Sequence, residues 1–217
     1  MVQVKMYHIP PTSLIPNSPL PLLHYPNFLS SPSSRDPAKV HSIFAANGWH
    51  VQWIYRYGPT QQSHYHSATH ETMAVLSGEA TIRFGAADKP SADNEASNQG
   101  KGRESGGGLE IRARAGDVFV LPAGLAHKTF NTEPVADFKL LTPGDGHHVA
   151  GEDVGKRLEE VELSGFTMIG AYPKGGKWDF AVAGEHQGSY AEIWSVPKPE
   201  RDPVLGLNPA GLAGLWK

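Results

Sequence analysis

The sequence predicts an all-β fold, a sandwich or small barrel built from many short strands. Short segments separated by turns rich in glycine and proline are typical of such folds, and they include ETMAVLSG, EATIRFG, LEIRARAG, DVFVLPAG, AHKTFN, ADFKLLTPG and FTMIGAYP. A second observation is the period of two between Trp49 and Tyr57, where large apolar residues occupy alternate positions. That stretch predicts a strand with one aromatic face.

Helices are predicted at only two places. The segment DPAKVHSIFAANG has Asp36 at the N-cap, Pro37 at the first helical position and Gly48 after the end, which indicates a short N-terminal helix. Near the other end, EHQGSYAEIWSVP has a helical pattern and predicts a C-terminal helix.

We expect one domain flanked by two arms, since 217 residues suffice for a single sizeable core. Proline recurs too often in residues 1–35 for a helix or a central strand, so this stretch predicts an extended arm. The domain then covers residues 36–198, with insertions near 86–108 and 143–164, and residues 199–217 form a C-terminal arm. The first insertion is polar and predicts a mobile hairpin loop.

Composition excludes several functional classes. The net charge is −3, with 19 basic and 22 acidic residues spread without blocks, which argues against nucleic-acid and membrane partners. The absence of cysteine excludes disulfides, a cysteine nucleophile and thiolate metal ligands. Prolines interrupt the N-terminal stretch where a signal peptide would be apolar, so we expect a cytoplasmic protein with a small-molecule partner.

The stretch HYHSATHE is the strongest candidate for a functional site. His64 and His66 are two residues apart, so an extended chain places their side chains on the same face. A bend would return Glu71 towards them, and His127 follows a PAG turn further along. Three imidazoles and a carboxylate suit a divalent first-row metal ion. The alternative is a set of structural histidines, because a lone histidine on a strand is more often structural than a ligand.

His70 competes with Glu71 for the fourth ligand position. Neighbouring residues of a strand face opposite sides, so we expect His70 at the surface or behind the ligands. A bend in the strand would exchange the two residues.

The spacing around these residues resembles the cupin motifs. The first segment fits G(x)5HxH(x)4E(x)6G at Gly58, His64, His66, Glu71 and Gly78. The second fits G(x)5PxGxxH(x)3N at Gly116, Pro122, Gly124, His127 and Asn131. Most of the chain is also similar to the YjlB-type single-domain cupins, through NGWHVQW, GAYP and VPKPERDPVLG among other segments. It departs from them at the two insertions.

The resemblance implies an RmlC-like jelly-roll β-barrel of two antiparallel sheets. It also implies that His64, His66, Glu71 and His127 bind one divalent metal ion inside the barrel, with Fe, Mn, Ni, Zn, Co and Cu all admissible. Cupins often pair through arms and strand edges, so a homodimer is expected as well.

The function implied is a metal-dependent enzyme that acts on a small organic molecule. An oxygenase of the dioxygenase type is favoured, because the resemblance includes many dioxygenases and a six-coordinate ion would keep two positions open. Glu71 would bind the ion throughout or detach to act as a base. A redox-neutral isomerase, decarboxylase or cyclase is the first alternative, and a cupin that binds metal or ligand without catalysis is the second.

The remaining candidates are expected near the ligands or in packing roles. Residues that could line a substrate pocket are Trp53, Tyr55, Tyr57, Phe119 and Thr129, although two of the three residues Trp53, Tyr55 and Tyr57 are expected in the core. Lys128 is expected as a solvated strand lysine. Packing or structural roles are expected for Tyr65 and Asn131, and exposure without a functional constellation for His147, His148 and His186.

Overall fold

The computed structural model describes residues 2–88 and 108–217 of the protein. Two antiparallel sheets face each other, and a layer of helices and arm segments covers the outer face of the larger sheet. The predicted all-β fold and the two-sheet architecture are confirmed. Within the described residues each sheet pairs its own strands, so the barrel is not closed by continuous pairing.

The larger sheet has seven strands in the order β1-β2-β7-β4-β10-β3-β9. Its strands are β1 (Lys5–Tyr7), β2 (Leu22–Tyr25), β3 (Trp49–Arg56), β4 (Glu71–Ser77), β7 (Val118–Leu121), β9 (Lys139–Leu140) and β10 (Thr167–Pro173). The smaller sheet has the order β6-β5-β8 and consists of β5 (Glu79–Phe84), β6 (Leu109–Arg114) and β8 (His127–Glu133). The strands predicted from the turn-bounded segments are therefore present.

The helical elements are short. They are a 3-10 helix (Pro32–Arg35), α1 (Pro37–Ala46), α2 (Val154–Glu159), α3 (Tyr190–Trp194) and α4 (Leu212–Leu215). The predicted start of α1 is confirmed, since the Asp36 carboxylate accepts a hydrogen bond from the Lys39 backbone N–H at 3.0 Å. Both predicted helices form, whereas α2, in the second insertion, and α4, in the C-terminal arm, were not expected.

A β-bulge breaks the single aromatic face that was predicted for β3. In the pairing with β10, Gly170 lies opposite Trp53 and Ala171 opposite Val51, so Gln52 is the extra residue. Trp49 and Val51 consequently pack on the outer face with α1, while Trp53 points between the two sheets. The prediction failed because strict alternation takes no account of one inserted residue.

The proline-rich N-terminal stretch contributes strands to the sheet. Residues 5–7 pair with β2, and residues 22–25 pair with β7, so this segment extends the larger sheet. At the other end of the chain, the fully buried Asp202 accepts hydrogen bonds from the Tyr25 hydroxyl and the Leu212 backbone N–H. The division into arm, domain and arm stays a prediction, and most of the polar insertion, residues 89–107, lies outside the described residues.

Among residues 2–88 and 108–217, no helix has the length and apolarity that crossing a bilayer requires.

Candidate metal centre

The predicted ligands converge at one end of the space between the sheets. His64 forms an isolated antiparallel bridge with His127, the first residue of β8, with N–H to carbonyl distances of 3.1 and 2.8 Å in the two directions. Glu71 is the first residue of β4. Backbone pairing therefore brings together residues that are about sixty positions apart in the sequence.

Three buried histidines form a cluster with the geometry of a metal site. His64, His66 and His127 are 4–5% exposed, and one ring nitrogen from each lies within 4.8 Å of those of the other two. The strand parity predicted for His64 and His66 is consistent with this placement. A cluster of this kind, buried and composed of nitrogen donors, suits a divalent first-row ion.

Backbone carbonyl groups fix the orientation of all three imidazoles. Each Nδ1 is paired with a backbone carbonyl oxygen. The His64 Nδ1 lies 3.0 Å from the Gln62 oxygen, the His66 Nδ1 lies 2.5 Å from the Asp179 oxygen, and the His127 Nδ1 lies 3.2 Å from the Leu125 oxygen. A carbonyl only accepts hydrogen bonds, so each Nδ1 carries a proton, and in the neutral imidazole the lone pair is on Nε2. Metal-binding histidines in proteins are commonly held in this way.

Glu71 lies against two of the imidazoles and is 2% exposed. Its Oε1 is 3.4 Å from Nε2 of His66, and its Oε2 is 3.4 Å from Nε2 of His127. Oε1 also accepts a hydrogen bond from the Tyr172 hydroxyl at 2.6 Å. Among the described residues Oε2 has no hydrogen-bond partner, which leaves a buried carboxylate oxygen facing the histidine cluster.

The charge of Glu71 shapes the protonation of the cluster. Burial raises the pKa of Glu71, but the neighbouring His66 and His127 outweigh it and hold that pKa below its usual value. Burial followed by the nearby His127 and His66 lowers the pKa of His64 well below its ordinary value. Burial likewise lowers the pKa of His127 despite the carboxylate. The site thus favours a carboxylate beside neutral imidazoles, which is the protonation state that a metal ion requires.

His66 departs from this trend. Burial lowers its pKa, but the charge of Glu71 and a hydrogen bond to it reverse the effect, so the pKa of His66 lies above its usual value. Without an ion, the buried carboxylate therefore draws a proton to its nearest imidazole. Binding of a divalent ion at this point would release that proton.

A segment between β10 and α3 covers the cluster, and sequence reasoning missed most of its role. Phe180 stacks on the His64 ring with centroids 3.9 Å apart and an interplanar angle of 9°. Trp178 packs against His66 with centroids 5.6 Å apart. The Asp179 carboxylate accepts hydrogen bonds from the backbone N–H and hydroxyl of Ser67, which ties the segment to the ligand loop. The segment includes the glycine-rich, charged stretch KGGKWD, and nothing in that pattern indicates these contacts.

The predicted pocket residues separate into core and surface positions. Trp53 and Tyr57 are each 4% exposed, and Tyr57 is close enough to Glu71 for that charge, after burial, to raise its pKa well above the usual value. Tyr55 is half-buried and stacks on the exposed Phe138 with centroids 5.0 Å apart. Two of the three aromatic residues are thus in the core, as expected.

The other two pocket candidates are buried in the space between the sheets. The Phe119 ring stacks on His24 with centroids 4.5 Å apart, and Thr129 pairs with Ile82 of β5. Whether any of the five predicted pocket residues contacts a substrate stays a prediction.

Of two expectations about neighbours of the predicted ligands, one was wrong and one held in part. Lys128 is not solvated: it is 1% exposed, and its Nζ donates to the Asp88 carboxylate at 2.8 Å. His70 was expected at the surface or behind the ligands, and the surface is excluded because the residue is 2% exposed. Its ring packs against Trp216 of the C-terminal arm, which agrees with a position behind the ligands. The sequence contains no local pattern that shows a buried partner so far along the chain.

The remaining histidines agree with the expectations in part. His147 and His148 are exposed, as expected, although the His147 ring stacks on Trp178 with centroids 4.1 Å apart. His186 has a partner that was not expected, since its Nδ1 lies 2.9 Å from the hydroxyl of the buried Tyr65. The packing role predicted for Tyr65 is consistent with its full burial.

The sequence similarity agrees with this geometry. A family model described as Cupin matches residues 55–154, which include all four predicted ligands. The chain contains a cupin domain. The uncharacterized protein YjlB of Bacillus subtilis (strain 168) is 27% identical over 207 residues, covering 94% of this chain and 92% of that protein. The resemblance to the YjlB-type single-domain cupins is thereby confirmed.

Solved structures with partial similarity differ widely in what they do. An oxalate decarboxylase of Lactobacillus farciminis matches with 13% identity and a TM-score of 0.31, over 60% of this chain and 27% of that one. Hydroquinone 1,2-dioxygenase PnpCD matches with 18% identity and a TM-score of 0.31, over 60% of each chain. Hazelnut (Corylus avellana) vicilin matches with 13% identity and a TM-score of 0.30, over 71% of this chain and 29% of that one. The chain spans only part of each of these proteins, and their activities are not transferred to it.

Proposed function

We propose that the protein is a metal-dependent cupin enzyme that acts on a small organic molecule. His64, His66, Glu71 and His127 would hold one divalent first-row ion, with Fe, Mn, Ni, Zn, Co and Cu not distinguished. The reaction that we favour is an oxygenation of the dioxygenase type. The predicted homodimer remains a separate proposal.

The convergence of four buried side chains with donor atoms supports the proposal most directly. In each of the three histidines Nδ1 is paired with a backbone carbonyl, so Nε2 is the atom that the neutral imidazole offers to an ion. The fourth donor, Oε2 of Glu71, is buried without a hydrogen-bond partner among the described residues. Leaving such a group unsatisfied costs about 1–3 kcal/mol or more, and a bound cation removes that cost. The donor set therefore fits a divalent ion.

The surrounding residues would control access to the ion. When bound, the ion would act as a Lewis acid or as a site for dioxygen. Tyr172 holds one oxygen of Glu71 through the 2.6 Å hydrogen bond, which orients the carboxylate. Phe180 and Trp178 pack on the outer faces of His64 and His66 and limit contact with water. If Glu71 detaches from the ion, its free oxygen becomes a base within the pocket.

A redox-neutral reaction is the alternative that the same residues support. An isomerase, decarboxylase or cyclase would need the ligand set and a base but no dioxygen. Cupins that bind a metal without catalysis would also share the ligands. The redox-neutral enzymes would convert a substrate without consuming dioxygen, and the non-catalytic protein would convert no substrate.

Oxygen consumption separates the candidates. The protein loaded anaerobically with Fe(II) would be mixed with a panel of diols, diketones and keto acids, and dioxygen uptake would be followed with an electrode. We expect uptake that depends on one substrate class and is lost in His64→Ala. Substrate conversion without dioxygen uptake would refute the oxygenase and favour redox-neutral chemistry. Ligand binding without any conversion would favour the non-catalytic alternative.

A further inference from the structure

Glu71 is held at one of its two oxygens by a chain of two donors. The Tyr172 hydroxyl donates to Oε1 of Glu71 at 2.6 Å, and the Trp53 indole N–H donates to the Tyr172 oxygen at 3.0 Å. All three side chains are at least 96% buried. They come from three neighbouring strands of the larger sheet, β4, β10 and β3, so the chain crosses the sheet interior.

The donor and acceptor types of the groups determine the direction of these two hydrogen bonds. An indole N–H only donates, so the Tyr172 oxygen accepts from Trp53 and its own proton points to Glu71. Tyr172 therefore acts as a hydrogen-bond donor to the carboxylate.

The two oxygens of Glu71 have different environments as a result. Each oxygen lies 3.4 Å from an imidazole Nε2, Oε1 from that of His66 and Oε2 from that of His127. Oε1 also accepts the hydrogen bond from Tyr172, whereas Oε2 has no hydrogen-bond partner among the described residues. A carboxylate restrained in this way presents one oxygen to an ion and keeps the other in a hydrogen bond.

We propose that Tyr172 is a positioning residue of the metal centre, which holds Glu71 as a ligand through Oε2 alone. Trp53 supports this role by fixing the Tyr172 hydroxyl. The inference rests on the proposed function, because it assumes that Glu71 binds an ion. Tyr172, the tyrosine of the GAYP segment, lies outside both cupin motifs, and the inference assigns it a role. It also gives Trp53 a positioning role in place of the predicted contact with substrate.

The test compares two tyrosine substitutions. Tyr172→Phe removes only the hydroxyl and keeps the ring, whereas Tyr57→Phe removes another buried hydroxyl that makes no hydrogen bond to Glu71 within residues 2–88 and 108–217. Mn(II) affinity would be measured by calorimetry, and the coordination of Co(II) by its visible absorption. Partners of metal ligands typically contribute 10–100-fold to metal affinity, so Tyr172→Phe should bind Mn(II) about 10–100-fold more weakly. Its Co(II) spectrum should also change, because Oε1 is released to approach the ion.

The possible results distinguish a failure of the proposed function from a failure of the positioning role of Tyr172. Failure of the unmodified protein to bind Mn(II) or Co(II) would refute the proposed function itself. The positioning role alone would be refuted if the unmodified protein binds both ions normally and Tyr172→Phe has the same Mn(II) affinity and Co(II) spectrum as Tyr57→Phe. Trp53→Phe provides a second variant if Tyr172→Phe does not fold, and it should weaken Mn(II) binding by a smaller factor. Unchanged Mn(II) binding in Trp53→Phe would count against the donor chain.

Discussion

The partly buried carboxylate of Asp88 should stabilise both the fold and the loop that carries His64. It accepts hydrogen bonds from Nζ of Lys128 at 2.8 Å, from Nη2 of Arg83 at 3.0 Å and from the backbone N–H of Ser63 at 2.8 Å. Lys128 is 1% exposed, and Ser63 directly precedes the ligand His64. A change at Asp88 should therefore affect stability and metal binding together.

Replacement of Asp88 should destabilise the protein more than replacement of Lys128. Asp88→Asn leaves Lys128 buried without a counter-charge, and loss of one partner of a buried pair costs about 3–5 kcal/mol. Lys128→Met leaves Asp88 still paired with Arg83 and Ser63 and replaces the aliphatic stem with one of similar size, so we expect a cost of about 1–2 kcal/mol. At about 2–4 °C per kcal/mol, Asp88→Asn should lower Tm by about 6–20 °C.

Thermal unfolding, monitored by circular dichroism, tests this difference in stability. Calorimetric titration of the folded variants with Mn(II) at low temperature tests metal binding. Asp88→Asn should weaken Mn(II) binding as well, because the Ser63 backbone loses its anchor, whereas Lys128→Met should bind Mn(II) normally. A larger loss of stability in Lys128→Met than in Asp88→Asn would refute the reasoning.

Two further changes test other contacts. The pKa of Asp117 is lowered because the adjacent His24, 3.4 Å away, and hydrogen bonds from the backbone N–H groups of Asn27 and Arg114 outweigh its burial. The stabilisation from Asp117 is therefore present above about pH 4 and is lost as the pH falls through the folded pKa. Asp117→Asn should cost about 1–3 kcal/mol in urea unfolding at pH 7, and a cost that does not shrink below pH 4 would contradict this. Phe180→Ala removes the ring that stacks on His64 and should speed metal release to a chelator by about 2–10-fold, in line with a stacking energy of about 0.5–1.5 kcal/mol, while an unchanged rate would show that the stacking does not protect the site.

The shared orientation of His64 and His66 could be predicted from the sequence because short-range geometry determines it. The two-residue spacing of His64 and His66 places both on one face of an extended chain, and the structure agrees. The match to two motifs linked His127 to them, since a bridge across about sixty residues has no local pattern of its own. The strands were predictable for the same reason, because turns rich in glycine and proline separate them.

The surroundings of the site could not be predicted in this way. Burial of Lys128 depends on Asp88, forty residues away, and burial of His70 depends on Trp216 near the C-terminus. The position of Trp53 depends on a β-bulge that no periodic pattern indicates. Such contacts arise from tertiary packing, which places distant segments against a residue regardless of its local sequence.

Metal content shows most directly whether the histidine cluster and Glu71 hold an ion. The purified protein, dialysed against one divalent first-row ion at a time, would be analysed by inductively coupled plasma mass spectrometry beside His64→Ala and His127→Ala, with His148→Ala as an exposed control. We predict about one ion per chain in the unmodified protein and in the control. The two ligand variants should lose most of it. Undiminished metal content in both ligand variants would contradict the proposed site.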